Sequence, residues 1–184
     1  MVLRIQGGRF KGTVLAAPPD RSLRPTSARR RQAVFDILRA QLDDFAGVRF
    51  AELFAGTGAI GFEALSEGAA HVTFVENDPA AADLIRRNAR TLGVEGQITL
   101  LRNDATRLGP ATTPVEVAFL DPPYGRGLAE RALARLVEGR WLAAEAIVLV
   151  ELAKAEPFEP PDGLVIERDY RHGAGRLVRL HPVG

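Results

Sequence analysis

The chain has 184 residues, with 24 Lys and Arg against 23 Asp and Glu, 18 Gly, 12 Pro and no Cys. Its 46% hydrophobic and 26% charged content is that of an ordinary globular domain, which excludes wholesale disorder. A chain of this size buries about 70% of its unfolded surface and needs no disulfide or zinc staple, and the lack of Cys excludes thiolate nucleophiles and iron–sulfur clusters. No apolar run reaches the ~18 residues of a membrane span, and Met1 leads into no signal-peptide pattern, so a soluble cytoplasmic protein is expected.

The net charge of +1 hides a split. Residues 1–39 hold nine basic side chains against Asp20 and Asp36, a net +7, and the remaining 145 residues hold 15 basic against 21 acidic, a net −6. A basic arm on an acidic body points to a polyanion such as nucleic acid. Arg outnumbers Lys 22 to 2 throughout, so the clustering rather than the Arg content carries this reading.

In chain order, Leu3 to Ile5 and Arg9 to Ala17 read as two short strands, turning at Gly7-Gly8 and again at Gly12. After the breakers Pro18, Pro19 and Pro25, a helix starts at Thr26 or Ser27 and carries Ala33, Val34, Ile37, Leu38 and Leu42 on one face. Strand–helix alternation follows. Strands are expected at Arg49–Phe54, His71–Glu76, Gln97–Leu101, Val115–Leu120 and Ala146–Glu151. Helices are expected at Ala59–Ser66, from an Asp78 cap to Leu92, and at about Leu128–Val137. Apolar strands separated by helices predict a parallel sheet covered on both faces. Leu164–Tyr170 and Arg176–Leu180 read as a closing antiparallel pair around Gly173 and Gly175. His71, His172 and His181 have no partner pattern, and Trp141 reads as core.

Between the first long strand and its helix lies Ala55-Gly56-Thr57-Gly58-Ala59-Ile60-Gly61, a G-x-G-x-x-G loop, and Glu76 follows twenty residues after Gly56. Such glycines let backbone approach a nucleotide, and the acid accepts ribose hydroxyls. Too little chain remains for the second half of a dehydrogenase. Glu52 is an acid on a strand that otherwise reads as core, and a cationic ligand explains it: S-adenosylmethionine carries an ammonium, a sulfonium and a ribose. Asp104, after the third strand, reads equally as an acceptor for an adenine amine or as the cap of a short turn.

Asp121-Pro122-Pro123-Tyr124 follows the strand Val115–Leu120. Two prolines stiffen the turn and leave the Pro122 carbonyl beside the Asp121 carboxylate, two fixed acceptors for the hydrogens of a planar exocyclic amine. Tyr124 offers a face for an extruded base. Holding both N–H groups while the amine becomes tetrahedral, in line with a methyl donor, requires neither metal nor strong base.

These motifs resemble class I S-adenosylmethionine-dependent methyltransferases acting on exocyclic amines. Within that group the chain resembles the RsmD family, which methylates the N2 amine of a guanine in 16S ribosomal RNA. The resemblance rests on Arg4-Ile5-x-Gly7-Gly8-Arg9-Phe10-Lys11-Gly12, Arg24-Pro25-Thr26, Glu52-Leu53-Phe54-Ala55-Gly56-Thr57-Gly58, Val75-Glu76, Asp104 and Asp121-Pro122-Pro123-Tyr124.

It implies a Rossmann-like, mainly parallel seven-stranded sheet with an antiparallel C-terminal strand and a small N-terminal hairpin and helix extension. It divides the chain into a basic RNA-contacting, pocket-closing segment, 1–46, and a methyltransferase domain, 47–184. Glu52 and Gly56 to Gly58 would hold the methionine end of the cofactor, Glu76 the ribose and Asp104 the adenine, with Thr26, Phe54, Asn77 and Ala105 as further cofactor contacts. Asp121, Pro122, Pro123 and Tyr124 would grip the target guanine, and Gly8 to Gly12 and the helix after Thr26, with Arg9, Lys11, Arg24, Arg29 and Arg30, would meet RNA. The expected partner is 16S ribosomal RNA within a small ribosomal subunit or assembly intermediate, bound by a monomer. An adenine-N6 methyltransferase and a non-catalytic RNA-binding protein with a vestigial pocket are the alternatives. The family's usual Arg-Glu pair falls near Arg31 and Gln32, a departure at the second position. Three arginines at a helix N-terminus oppose its dipole, which a nearby phosphate would relieve.

Overall fold

A computed structural model describes residues 2–18, 27–172 and 175–183. Arg24 and Thr26 lie outside the described residues. Strands β1 (Leu3–Arg4) and β2 (Val14–Leu15) pair antiparallel, and helix α1 (Ala28–Arg39) follows. The alternating part comprises β3 (Arg49–Leu53), α2 (Ala59–Glu67), β4 (His71–Val75), α3 (Pro79–Leu92), β5 (Ile98–Leu101), β6 (Val115–Leu120), α4 (Leu128–Glu138) and β7 (Leu142–Ala153). Strands β8 (Leu164–His172) and β9 (Gly175–Pro182) end the chain.

The large sheet has the order β5-β4-β3-β6-β7-β9-β8. Strands β5, β4, β3, β6 and β7 run parallel, and β9 inserts antiparallel between β7 and β8. The expected sheet is therefore present, including its antiparallel C-terminal strand. The order reverses direction at β3, and in such sheets the ligand crevice opens beyond the carboxyl ends of the strands at that switch.

The period-two alternation of the strands builds two cores. Phe50, Phe74, Phe119, Leu149 and Leu177 face Val34, Phe35, Leu38, Ile60 and Phe62, whereas Ala51, Leu53, Val75, Leu120, Val150 and Val178 face Leu133 and Leu136 of α4. Leu3, Ile5 and Leu15 of the N-terminal segment belong to the first core, so the arm is packed onto the sheet domain. Burial of this kind contributes about 25 cal/mol per Å² of apolar surface.

Three local expectations change. Gly8–Phe10 is a 3₁₀ turn and not the start of a strand, because Gly8 is left-handed (φ 67°) and Phe10 N–H donates to Ser66 Oγ at 2.9 Å. Helix α1 buries Arg31 and Phe35 besides the expected Val34 and Leu38, while Ala33, Ile37 and Leu42 pack part-buried against the same core. Strand β7 spans twelve residues, extended on both sides of Ala146–Glu151 by pairing with β6 and β9. Trp141 is core, its Nε1 donating to the Gly109 carbonyl at 2.8 Å. Among the described residues no helix is long and apolar enough to cross a membrane.

Candidate active site

The carboxyl ends of β3, β4 and β6 open into a cavity of about 430 Å³, within the size range of small-molecule sites. Its lining includes Glu52, Phe54, Gly56, Thr57, Glu76, Asn77, Ala105, Asp121, Pro122, Pro123 and Tyr124, and also Arg30. The structure thus brings both motifs, the glycine loop and the D-P-P-Y loop, to one concavity.

The glycine loop is shaped for close approach. Phe54, a non-glycine residue, is left-handed (φ 57°), as are Gly56 (φ 56°) and Gly58 (φ 74°). Strain at a non-glycine residue persists where the surrounding structure imposes it, commonly at ligand sites. A Cβ on Gly56 would meet nothing within 4 Å, so that face is open, whereas one on Gly61 would lie 2.4 Å from the Phe74 ring. Gly56 therefore leaves room for a ligand, and Gly61 lets α2 close onto β4.

Glu76 holds the loop from the next strand. Its Oε2 accepts from Gly56 N–H at 2.7 Å and its Oε1 from Asp78 N–H at 2.8 Å. An ionised carboxylate has about four acceptor sites, which leaves capacity for hydroxyls. Glu52 is 4% exposed, and its Oε2 accepts from Gly61 N–H at 2.7 Å. Burial pushes its carboxyl up to about 8, against hydrogen bonds from Gly61 and Ile60, with Asp121 and Glu76 adding repulsion. A buried acid in this condition is satisfied by a cation.

Asp104 behaves as a cap: its Oδ1 accepts from Thr106 N–H and Thr106 Oγ at 2.8 Å each, while Oδ2 lies 3.9 Å from Arg107 Nε. Its neighbours Asn103 and Ala105 line the cavity.

On the opposite wall, Pro122 is buried and Tyr124 half-buried. Glu156 braces the loop, accepting from Gly125 N–H at 2.7 Å and from Ala153 N–H at 3.1 Å. Behind it sits Glu151, 2% exposed at the carboxyl end of β7. Tyr124 Oη donates to Glu151 Oε1 at 3.4 Å, and Arg30 Nε stands 3.6 Å from the same oxygen. Burial lifts the Glu151 carboxyl to about 7, with Arg30 opposing and Asp121 reinforcing the shift. Burial likewise raises the Tyr124 hydroxyl.

Sequence reasoning passed over Glu63, Asn88 and Glu151. Glu151 had a signal, since Val75-Glu76, Leu120-Asp121 and Val150-Glu151 each set an acid directly after the apolar run of a parallel strand. Asn88 is fully buried on α3 and joins Ala16 of the arm to the Thr57 carbonyl of the glycine loop. The arm residues divide. Arg30 lines the cavity, Arg29 and Lys11 are exposed, and Arg9 donates to Gln97 at 2.7 Å and lies over the Phe10 ring. Residues Gly8 to Gly12 lie outside the cavity lining.

A glycine loop and a D-P-P-Y loop facing each other across the switch point of this sheet define a class I methyltransferase. The family model described as conserved hypothetical protein 95 matches residues 3–180. The Ribosomal RNA small subunit methyltransferase D of Escherichia coli is 37% identical over 149 residues, 81% of this chain and 74% of that protein. Its Haemophilus influenzae namesake is 32% identical over 175 residues, 93% of this chain and 89% of that protein. A solved Escherichia coli structure, the candidate methyltransferase yhhF, superimposes with TM-score 0.85 at 29% identity, covering 100% of this chain and 99% of that one. The chain belongs to this family, that of the small-subunit ribosomal RNA methyltransferases D.

Proposed function

We propose that the protein transfers a methyl group from S-adenosylmethionine to the exocyclic N2 amine of a guanine in 16S ribosomal RNA. The observation that carries this reading is the single cavity shared by Glu52, Gly56 and Glu76 on one side and Asp121 to Tyr124 on the other. The residues present suit that cofactor: a buried acid calling for a cation, a loop face open at Gly56, and a ribose acceptor at Glu76. When bound, S-adenosylmethionine supplies an electrophilic methyl group on a sulfonium.

The chain's own residues orient the nucleophile. The Asp121 carboxylate and the Pro122 carbonyl accept the two N–H groups of the amine, and the Tyr124 ring stacks on the base. This holds the nitrogen lone pair toward the methyl and lowers the barrier chiefly by positioning. The methylated nitrogen sheds its proton to Asp121 or to solvent. Glu52 meets the cationic end of the cofactor, Glu76 its ribose, and Phe54, Asn77 and Ala105 enclose it. Residues 1–46, Arg24 and Arg29 among them, contact RNA and close the pocket, Thr26 is a further cofactor contact, and residues 47–184 carry the chemistry. The substrate is a small-subunit particle or assembly intermediate in the bacterial cytoplasm, bound by a monomer.

The test is Asp121→Ala, assayed with labelled cofactor and small-subunit particles, followed by mass spectrometry of the methylated nucleosides. Transfer should vanish while cofactor and RNA binding persist, and the wild-type product should be N2-methylguanosine. Near wild-type transfer by the variant would overturn the mechanism, and N6-methyladenosine as product would replace the substrate.

A further inference from the structure

The D-P-P-Y loop grips an amine but does not by itself say whose. Beside the amine nitrogen, guanine presents an N1–H donor, whereas adenine and other purines lacking that hydrogen present a lone pair. A site selective for guanine N2 therefore needs one more acceptor next to those that hold the amine.

The β6–β7 register pairs Leu120 with Val150, so Asp121, the first residue past β6, and Glu151 of β7 each follow a member of that pair. We propose that Glu151 is a specificity-determining residue, its carboxylate accepting the guanine N1–H while Asp121 and Pro122 hold N2. The proposal rests on the guanine-N2 reading above.

One neighbour of Glu151 supports this. Arg30 Nε approaches Glu151 Oε1 at 3.6 Å and Tyr124 Oη approaches it at 3.4 Å, so a cationic N–H fork and a hydroxyl donor both face this carboxylate from the cavity side. A guanidinium is a planar fork of N–H donors attached to one carbon, and the N1–H, C2, N2–H₂ edge of guanine is another. Arg30 lines the cavity with its side chain 25% exposed, so it stands where that edge would be presented and can swing outward. Withdrawal toward the RNA backbone uncovers Glu151 as the base enters. Glu151 itself is held on a central strand by the flanking core residues Val150 and Leu152, which are 0% and 1% exposed. Where Glu151 is ionised, an acceptor fixed in this way rejects a base that lacks the donor, because the carboxylate is then left facing a lone pair.

The methylated guanine is first located in the wild-type product, which tests the guanine-N2 reading on its own. Small-subunit RNA carrying either guanine or 2,6-diaminopurine at that position is then assembled by splint ligation and reconstituted into small-subunit particles. Diaminopurine keeps the N2 amine but has no hydrogen on N1. At about pH 8.5, where Glu151 is ionised, wild-type protein should methylate the guanine particles at least about 100-fold faster in kcat/KM. Glu151→Gln, whose amide can donate to N1, should lower the rate on guanine and narrow the ratio to about tenfold. Melting temperature and cofactor affinity, measured alongside, confirm that the variant is folded. Comparable wild-type use of both RNAs would overturn the proposal, as would an equal loss on both in Glu151→Gln. A ratio that responds to Arg30→Ala and not to Glu151→Gln would overturn it too, placing recognition at O6.

Discussion

Glu63 Oε1 accepts the backbone N–H of Gly7 at 2.6 Å, across 56 residues of chain. Both carboxylate oxygens also take Gln6 N–H, at 2.9 and 3.0 Å. Arg31 is buried nearby, and its guanidinium donates to the Arg4 carbonyl at 2.9 Å. Burial disfavours both charges, raising the Glu63 carboxyl and lowering the Arg31 guanidinium, and each charge partly offsets the other's shift. Arg31, at one of the positions where the family pattern is expected, is thus a fastener between the arm and α2. Glu63→Ala leaves Arg31 without this counter-charge and two backbone donors without an acceptor, and should cost about 3 kcal/mol. Urea unfolding measures it, and an unchanged midpoint at equal m-value would show that the arm is not held here.

The G-G-R-F-K-G segment offers a second test with an internal control. A Cβ on Gly8 would lie 1.9 Å from the Ser66 carbonyl oxygen at φ 67°, whereas one on Gly12, at φ 87°, would meet nothing within 4 Å. Gly8→Ala should therefore cost more than about 2 kcal/mol, combining backbone strain with a clash against helix backbone. Gly12→Ala should cost only the left-handed penalty, about 1 kcal/mol. Thermal melts that rank the two variants equally would contradict the docking of Gly8 on α2.

The strand–helix rhythm made β3 to β7 legible because parallel strands buried on both faces are apolar throughout, and turn glycines and Asp78 marked the helix ends. The cavity was legible for a related reason: residues at strand ends are free to carry charge, so Glu76 and Asp121 stand out against Val75 and Leu120. Glu63 and Asn88 were not, since each lies mid-helix and its partner is backbone supplied 56 to 72 residues away. Arg30 is expected from sequence as an RNA contact and not as a cavity residue, since helical periodicity says which face a residue takes but not that a neighbouring strand carries Glu151. The N-terminal turn was misjudged because hydroxyl-to-backbone docking at Ser66 leaves no periodic trace.

Glu52 makes a prediction with a defined sign. Its folded carboxyl is raised to about 8 from 4.5, so the folded state holds a proton that the unfolded state has released between those values. Stability without ligand should therefore fall as pH rises from about 4.5 through 8. Glu52→Gln should remove that part of the slope, while Glu151, raised to about 7, keeps its own. A cation favours the ionised form, so cofactor binding must expel the Glu52 proton, and affinity should climb between pH 6 and 7.5, by up to about tenfold per unit. Isothermal titration in buffers of different ionisation enthalpy reads the released proton directly. A flat profile in wild type, or one shared by Glu52→Gln, would remove Glu52 from the cationic end of the site.

Helix α1 begins at a Ser27 cap whose Oγ accepts from Arg30 N–H at 3.3 Å, and no acid occupies its first turn. Arg29, exposed in that turn, sits against the positive end of the helix dipole, an arrangement that an anion relieves. Lys11 is also exposed on the docked arm. If these two side chains meet phosphates, Arg29→Glu and Lys11→Glu should each weaken RNA binding several-fold near 0.1 M salt. Each should also lower the magnitude of the log K against log salt slope by about 0.7 to 0.9. Neither residue lines the cavity, so transfer on saturating RNA should stay near the wild-type rate. Filter binding across a salt series separates the outcomes, and a slope unchanged in both variants would remove these residues from the RNA interface.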